Sequence, residues 1–185
     1  MVRVMMCVGP AQLTLSAIAR EAGITAGALV QRFGSKRELM VAHARHAAAT
    51  LDIGFGPPSI RTKSPLSAIY GVAEAYAKLA QSPRAALRNL AYLQRDLADP
   101  VLRRNLLRLH RAARTYYEQL VVDAVSAGEL RAETNVRRLA RTIEVTLVGA
   151  LLAWALYREG SASRWLGDDL KAVLRPHLSH SAPEQ

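Results

Sequence analysis

The 185-residue sequence holds one cysteine, Cys7. A single thiol excludes an intramolecular disulfide framework and a cysteine-based zinc site, and it fits a reducing compartment. Aromatic residues are scarce, at 5%, and β-branched residues are few, which argues against a sheet-based architecture. The longest apolar run, near Val145 to Tyr157, abuts Glu144. It falls short of the ~20 residues a membrane-spanning helix needs. The N-terminal MVRVMMCV is too short for a secretory signal. A cytoplasmic protein with no membrane partner is therefore expected. The five histidines are scattered, and neither a Ser/His/Asp constellation nor a phosphate loop is visible. No enzyme, no metal and no cofactor are expected. Acidic residues are in deficit, 15 against 25 basic, for a net charge of +10. That sign fits nucleic acid, an anionic ligand or an anionic membrane surface as a partner without choosing among them.

What is abundant is alanine, leucine and arginine: 32, 26 and 21 residues. All three are strong helix formers, so the expected fold is all-α. Arginine outnumbers lysine 21 to 4. A GC-rich genome explains this blandly, and a demand for forked, phosphate-matching guanidinium groups explains it functionally. A chain of this length buries roughly 70% of its unfolded surface, enough for a core without staples.

Glycine and proline punctuate the chain. The stretch Gly54-Phe55-Gly56-Pro57-Pro58, continuing to Ser64-Pro65, reads as a linker between a unit of residues 1–53 and a larger one of residues 65–178. Five helices are predicted in the second unit. The first starts at Pro65, with Leu66, Ile69, Val72, Ala73, Tyr76 and Leu79 at helical spacing. The second opens at Pro83, with Leu87, Leu90, Leu93 and Leu97 on one face. Asp99-Pro100 is an N-cap and first-position pair for a long third, ended near Gly128. Thr134 or Asn135 caps a fourth that runs to about Tyr157, and a fifth runs from Ser163 to about Leu174, where Pro176 stops it.

The informative stretch is LTLSAIAREAGITAGALVQRFGSKREL, from Leu13 to Leu39. Thr14 precedes a short helix with Leu15, Ile18 and Ala19 on its apolar face. Gly23 suits a left-handed C-cap, and Ile24 is expected to plug the corner. Thr25 caps a second short helix, Ala26 to Arg32, from which Leu29 and Phe33 face inward. Two short helices joined by a glycine turn form a helix-turn-helix, whose second helix enters the major groove. Its outward face is Ala26, Gly27, Ala28, Val30, Gln31 and Arg32. The small residues let the backbone approach DNA closely. Gln31 can pair with adenine N6 and N7, and Arg32 can meet guanine or phosphate. Ser35 caps a third helix, with Glu38 completing a capping box. Lys36 in its first turn opposes the helix dipole, a conflict that a nearby phosphate relieves.

These residues resemble the DNA-binding domain of TetR-family (tetracycline-repressor-like) regulators, through Thr14, Ile18-Ala19, Ala22-Gly23, Leu29, Phe33, Lys36 and Leu39. The resemblance covers about 27 contiguous residues without a gap. It implies a homodimer on a palindromic operator in double-stranded DNA, and a helical C-terminal domain that releases the DNA when a small molecule binds. Two departures stand out. Only Met1 to Gln12 precede the motif, where the family carries a full helix. That leaves two readings, a true start upstream of Met1 or a clipped, less stable unit. Val30 stands where the family often has a phosphate-contacting tyrosine. The DNA-binding residues expected are Thr14, Thr25, Ala26, Gly27, Ala28, Gln31, Arg32, Ser35 and Lys36.

Charge does not settle the matter, since residues 1–52 carry a net of only +3 and the remainder +7. Eight arginines between 84 and 114 read as a solvated face, as added attraction to DNA, or as a basic wall for an anionic ligand through Arg104, Arg108 and Arg111. His110, Arg114, Tyr117 and Val121 share a stripe of the long helix. By the resemblance this stripe lines a ligand cavity, although ordinary core explains it too, and Tyr70, Tyr76, Tyr92 and Trp154 are equally weak candidates for the border of such a pocket. The apolar fourth helix, with Gly149, Ala150 and Ala153, and the last, with Trp165, Leu166, Leu170 and Val173, are expected to form a four-helix bundle across a two-fold axis. The function expected is a ligand-released repressor. The alternative is a ligand- or protein-binding module that no longer binds DNA.

Overall fold

The structure is a computed structural model and describes residues 1–50, 64–78, 80 and 82–179. The Gly54–Pro58 linker, the Ile53 boundary and Leu79 lie outside the described residues. Among the described residues, nine α-helices run in the order α1 Val2–Cys7, α2 Leu15–Ala22, α3 Ala26–Phe33, α4 Lys36–Thr50, α5 Pro65–Lys78, α6 Pro83–Ala98, α7 Pro100–Ser126, α8 Val136–Tyr157 and α9 Ala162–Leu174. Among the described residues there is no strand, only one isolated antiparallel bridge between Leu130 and Leu178. The all-α expectation holds.

The helix ends follow from local chemistry. Thr14 and Thr25 accept the backbone N–H groups of Ala17 and Ala28, each at 3.1 Å. Asp99 caps α7 through Val101 N and Leu102 N, and Pro100 occupies the first position, where no N–H is needed. The cap of α8 is Asn135, which accepts from Arg138 N at 3.0 Å, rather than Thr134. The last helix starts earlier than predicted, because Ser161 accepts from Arg164 N and caps it. Pro176 does not stop the chain's coiling but sits in a 3-10 turn, Arg175–His177. The N-terminus of α5 is met by the Glu129 carboxylate, which accepts from Leu66 N at 2.7 Å.

The main core lies where α5, α7, α8 and α9 meet, around Ile69, Val72, Tyr117, Val121, Ile143, Leu147, Leu166 and Leu170. Each such aliphatic side chain contributes roughly 1.5–3 kcal/mol by leaving water. A second core joins Leu13, Ile18, Ala19, Leu29, Leu39, Met40 and Val41 with Tyr92 of α6 and Leu102 of α7. The helix-turn-helix therefore completes its own interior with residues of the larger unit. This also corrects the α6 leucine stripe. Leu87 and Leu97 are exposed, while Ala85, Ala86 and Tyr92 form the buried face, because the N-terminal unit packs on the tyrosine side.

At 22 residues, α8 is long and apolar enough to reach across a bilayer. Its buried half nevertheless packs against α7 and α9 and carries the carboxylate of Glu144, which is how a core helix is built. Leu166 and Leu170 are fully buried and Ala150 nearly so. The expectation that these three lie in a dimer interface is corrected, since the chain's own core leaves them no surface. Gly149 is exposed, and Ala153, Trp165 and Val173 are partly so. The apolar residues turned outward on α8 are Val145, Val148, Leu152, Leu156 and Tyr157, the last two each 66% exposed.

Candidate nucleic-acid interface and ligand cavity

The α2–α3 hairpin is set by its turn. Gly23 ends α2 with φ +68°, a left-handed conformation that costs glycine least. Its N–H and that of Ile24 close back onto α2 carbonyls. Ile24 itself is 47% exposed and plugs no corner. Ile18, Ala19 and Leu29 are buried as predicted. Of the residues expected to meet DNA, Thr14, Thr25, Gly27, Ala28, Gln31, Arg32, Ser35 and Lys36 are exposed. Ala26 is a correction, because it is half-buried and packs on the second core. Val30 stands out beside Gln31 at 46% exposure. The Arg32 guanidinium lies over the Phe33 ring, 5.4 Å from its centroid, which restrains where it can reach.

Ser35 accepts from Glu38 N at 3.1 Å and so caps the start of α4, but the Glu38 carboxylate accepts from Arg37 Nη1. Lys36 has an intramolecular role that spacing alone did not reveal. Its Nζ donates to the Leu13 carbonyl at 2.9 Å, tying the start of α4 to the segment before α2. Arg37 is turned away toward Asp99 at the start of α7.

Two cavities matter. The larger, about 530 Å3, lies at the start of α8 and is lined by charged and polar groups including Arg131, Glu133 and Arg138. It shares no lining residue with the cavity at the α4–α7 junction. The second, about 310 Å3, lies at that junction and is mostly apolar. Its wall includes Val2 and Met5 of α1, His43 of α4, Asn89, Leu90 and Leu93 of α6, Leu106 and Leu109 of α7, and Val148, Leu151 and Leu152 of α8. An apolar pocket with a few polar groups is the common form of a small-molecule site.

Of the residues expected to border a ligand pocket, Tyr76, Tyr92 and His110 line this cavity. Arg114, Tyr117 and Trp154 do not. Arg114 donates to the buried Glu144 through Nε at 2.8 Å and Nη2 at 2.6 Å. Trp154 donates its indole N–H to the Gly160 carbonyl and so closes the α8–α9 turn. Tyr117 is 1% exposed within the main core, and its hydroxyl has no hydrogen-bond partner among the described residues. Burial pushes the phenols of Tyr76 and Tyr117 well above the ordinary tyrosine value. His110 Nδ1 lies 3.0 Å from the other Glu144 oxygen. None of Arg104, Arg108 and Arg111 lines the cavity, and all three are exposed on α7, so they are not a basic wall for a ligand. The contributions of α1, α4 and the outer face of α8 carried no local signal in the sequence. They come from distant segments, and only packing brings them together.

A capped helix-turn-helix on a helical body defines a class, the helix-turn-helix DNA-binding proteins. The comparisons narrow it. Residues 2–43 match the family model for bacterial regulatory proteins, tetR family, and residues 63–168 match that for the tetracyclin repressor-like C-terminal domain. The chain belongs to the TetR family of transcriptional regulators.

Solved structures share the fold. A TetR transcription regulator from Haloarcula marismortui superposes with a TM-score of 0.76 at 14% identity, covering 96% of this chain and 93% of that one. FadR from Bacillus subtilis, solved with stearoyl-CoA, gives 0.65 at 16% identity, covering 93% and 92%. SmeT, repressor of the SmeDEF multidrug efflux pump of Stenotrophomonas maltophilia, gives 0.65 at 19% identity, covering 99% and 92%. No curated protein matches the sequence.

Proposed function

We propose that this chain is a homodimeric repressor that binds a palindromic operator and leaves it when a small molecule enters the cavity at the α4–α7 junction. The observation that carries the reading is the exposed face of α3. Gly27 and Ala28 leave the backbone open at its start, and Gln31 and Arg32 follow where base edges would lie. Residues 1–53 would be the DNA-binding domain and residues 65–178 the ligand-binding and dimerisation domain. Such a regulator works where the chromosome is, in the cytoplasm.

Dimerisation is a mechanical requirement of the reading, since two helix-turn-helix units reach half-sites about one turn, roughly 34 Å, apart. The outward face of α8, with Val145, Gly149, Leu152 and Leu156, supports a two-fold contact. It is joined by Tyr157, which stacks on Trp165 of α9 with ring centroids 5.7 Å apart. That apolar surface is larger than isolated exposed side chains would explain. In the cavity, a ligand that favours one spacing of the two reading helices shifts the dimer toward that state.

The test is a gel shift on the gene's own upstream region, with salt varied. Sequence-specific binding at physiological salt, by a dimer, is the expected result. A module that has lost DNA binding is the competing reading, favoured by the exposed Val30 where a phosphate contact is expected. It would show only weak, sequence-independent binding.

A further inference from the structure

We infer that the α4–α7 cavity takes an uncharged, largely hydrocarbon molecule, and that this molecule bears directly on α1, so that part of the DNA-binding unit forms a wall of the ligand site. The inference rests on the reading of this cavity as the effector site.

The charge argument comes first. Among the described wall residues the one carboxylate is Asp96, and Arg95 already pairs with it. The arginines of α7 lie off the wall. His43 is held toward its neutral form by burial, with the N-terminal amine and His46 adding to the effect, Asp96 opposing it and Arg95 again lowering it. A ligand carrying a sulfonate, carboxylate or phosphate would lose its hydration against a described wall that includes no arginine or lysine, and whose other histidine, His110, already lies 3.0 Å from a Glu144 oxygen. The volume, about 310 Å3, is at the small end for ligand pockets.

The α1 argument is geometric. This helix has six residues, too few to be stable alone, so its position depends on what it packs against. Val2 and Met5 face the cavity from it. Its far end is held by Tyr92, whose hydroxyl donates to the Val8 carbonyl at 2.9 Å while the tyrosine also lines the cavity. Its other tie, Arg3 to Glu21 at 2.6 Å, is exposed and weak. A molecule filling the cavity adds contacts to Val2 and Met5 and presses on the tyrosine that holds Val8. The DNA-binding unit thus meets the ligand itself, in addition to feeling it through α6 and α7.

The test uses a matched pair of fluorescent probes on the full chain without DNA: uncharged N-phenyl-1-naphthylamine, and anilinonaphthalene sulfonate, which adds one anionic group to nearly the same skeleton. The uncharged probe should bind at least about tenfold more tightly. Met5→Ala should weaken it about threefold to tenfold by removing apolar contact. Leu93→Trp should block it by filling the space, with Leu152→Trp, at a more exposed wall position, as the second variant if the first fails to fold. Amide hydrogen exchange over residues 2–8 should slow at least about threefold with the probe bound, and not in the blocked variant. Equal or tighter binding of the sulfonate, or no binding of the uncharged probe, overturns the ligand class. Probe binding that the tryptophan variants block, with exchange in α1 unchanged, overturns the contact with α1. Neither readout involves an operator, so failure of DNA release, which would count against the proposed function, is told apart from failure of the ligand class or of the contact with α1.

Discussion

Arg37 of α4 grips Asp99, the N-cap of α7, with two hydrogen bonds: Nε to Oδ2 at 2.8 Å and Nη2 to Oδ1 at 3.1 Å. The same Oδ1 accepts from Val101 N at 2.8 Å and Leu102 N at 3.2 Å. One carboxylate thus ends a helix of the larger unit and anchors the helix-turn-helix to it. The Arg37 guanidinium, helped by the two backbone N–H groups, holds the Asp99 carboxyl below the ordinary carboxylate range. Asp99→Ala should lower the thermal unfolding midpoint more than Arg37→Ala, because it removes the cap as well as the ion pair. The double variant should match Asp99→Ala alone. Simple additivity of the two single effects would show that the pair is not coupled.

His43 makes stability depend on mild acid. Its folded-state proton affinity is depressed, chiefly by burial, so the unfolded chain binds a proton at higher pH than the folded one. The contribution is therefore intact above about pH 6.5 and is lost as pH falls through that value. The slope from this one group is at most about 1.4 kcal/mol per pH unit. His43→Gln should flatten urea-unfolding stability between about pH 6.5 and 5. Asp99 acts in a separate window, losing its contribution only as pH falls through its depressed value, below about 4. An unchanged slope in the His43 variant would refute the assignment.

Tyr117 carries a hydroxyl buried without a partner among the described residues. A phenylalanine keeps the ring and sheds the desolvated group. Tyr117→Phe is expected to raise stability by about 1 kcal/mol in chemical denaturation. A loss of stability would mean that the hydroxyl has a partner in solution, such as a buried water.

Glu144, 7% exposed, is held by Arg114 and lies within hydrogen-bond distance of His110. Removing it leaves the guanidinium of Arg114, which is 45% exposed in its side chain, so water can recover part of the loss. Glu144→Ala should cost about 2 kcal/mol, less than the loss of a fully buried pair. If Glu144→Leu proves more stable than the parent, the carboxylate serves the cavity wall through His110 and not stability.

On DNA, Gln31→Ala should reduce discrimination between operator and mismatched sequence about tenfold, with little change in non-specific binding. Lys36→Ala should weaken binding to all sequences and lower the salt slope by about one. Because Lys36 also holds the Leu13 carbonyl, its variant should unfold at a lower temperature as well. A salt slope equal to the parent's would leave Lys36 with the Leu13 clamp alone.

Much of the molecule was legible in the amino-acid order because it is decided locally. Thr14, Thr25, Asn135 and Asp99 cap helices as threonine, asparagine and aspartate do when followed by helix formers. Gly23 turns where a left-handed residue is needed, and the apolar periodicity of α5 shows up as burial. The TetR-like reading head lies in one unbroken stretch, so its spacing could be read directly. Leu166 and Leu170 were misplaced at a dimer contact because periodicity reports that a face is apolar, not whose core it enters.

Residue order was enough for most of the helices, several of their caps and the α2–α3 hairpin, since hydrogen bonds and side-chain spacing within a few residues fix these, although the start of α9 was set by Ser161 and not by Ser163. Only the tertiary structure decided that α1 and α4 would share a cavity with α6, α7 and α8, that Lys36 would reach back to Leu13, and that Arg37 would find Asp99, 62 positions away. These contacts join segments whose own sequences are indifferent to one another. Which of them meet follows from the burial of Tyr92 and Leu102 against the helix-turn-helix, a packing outcome that no local pattern encodes.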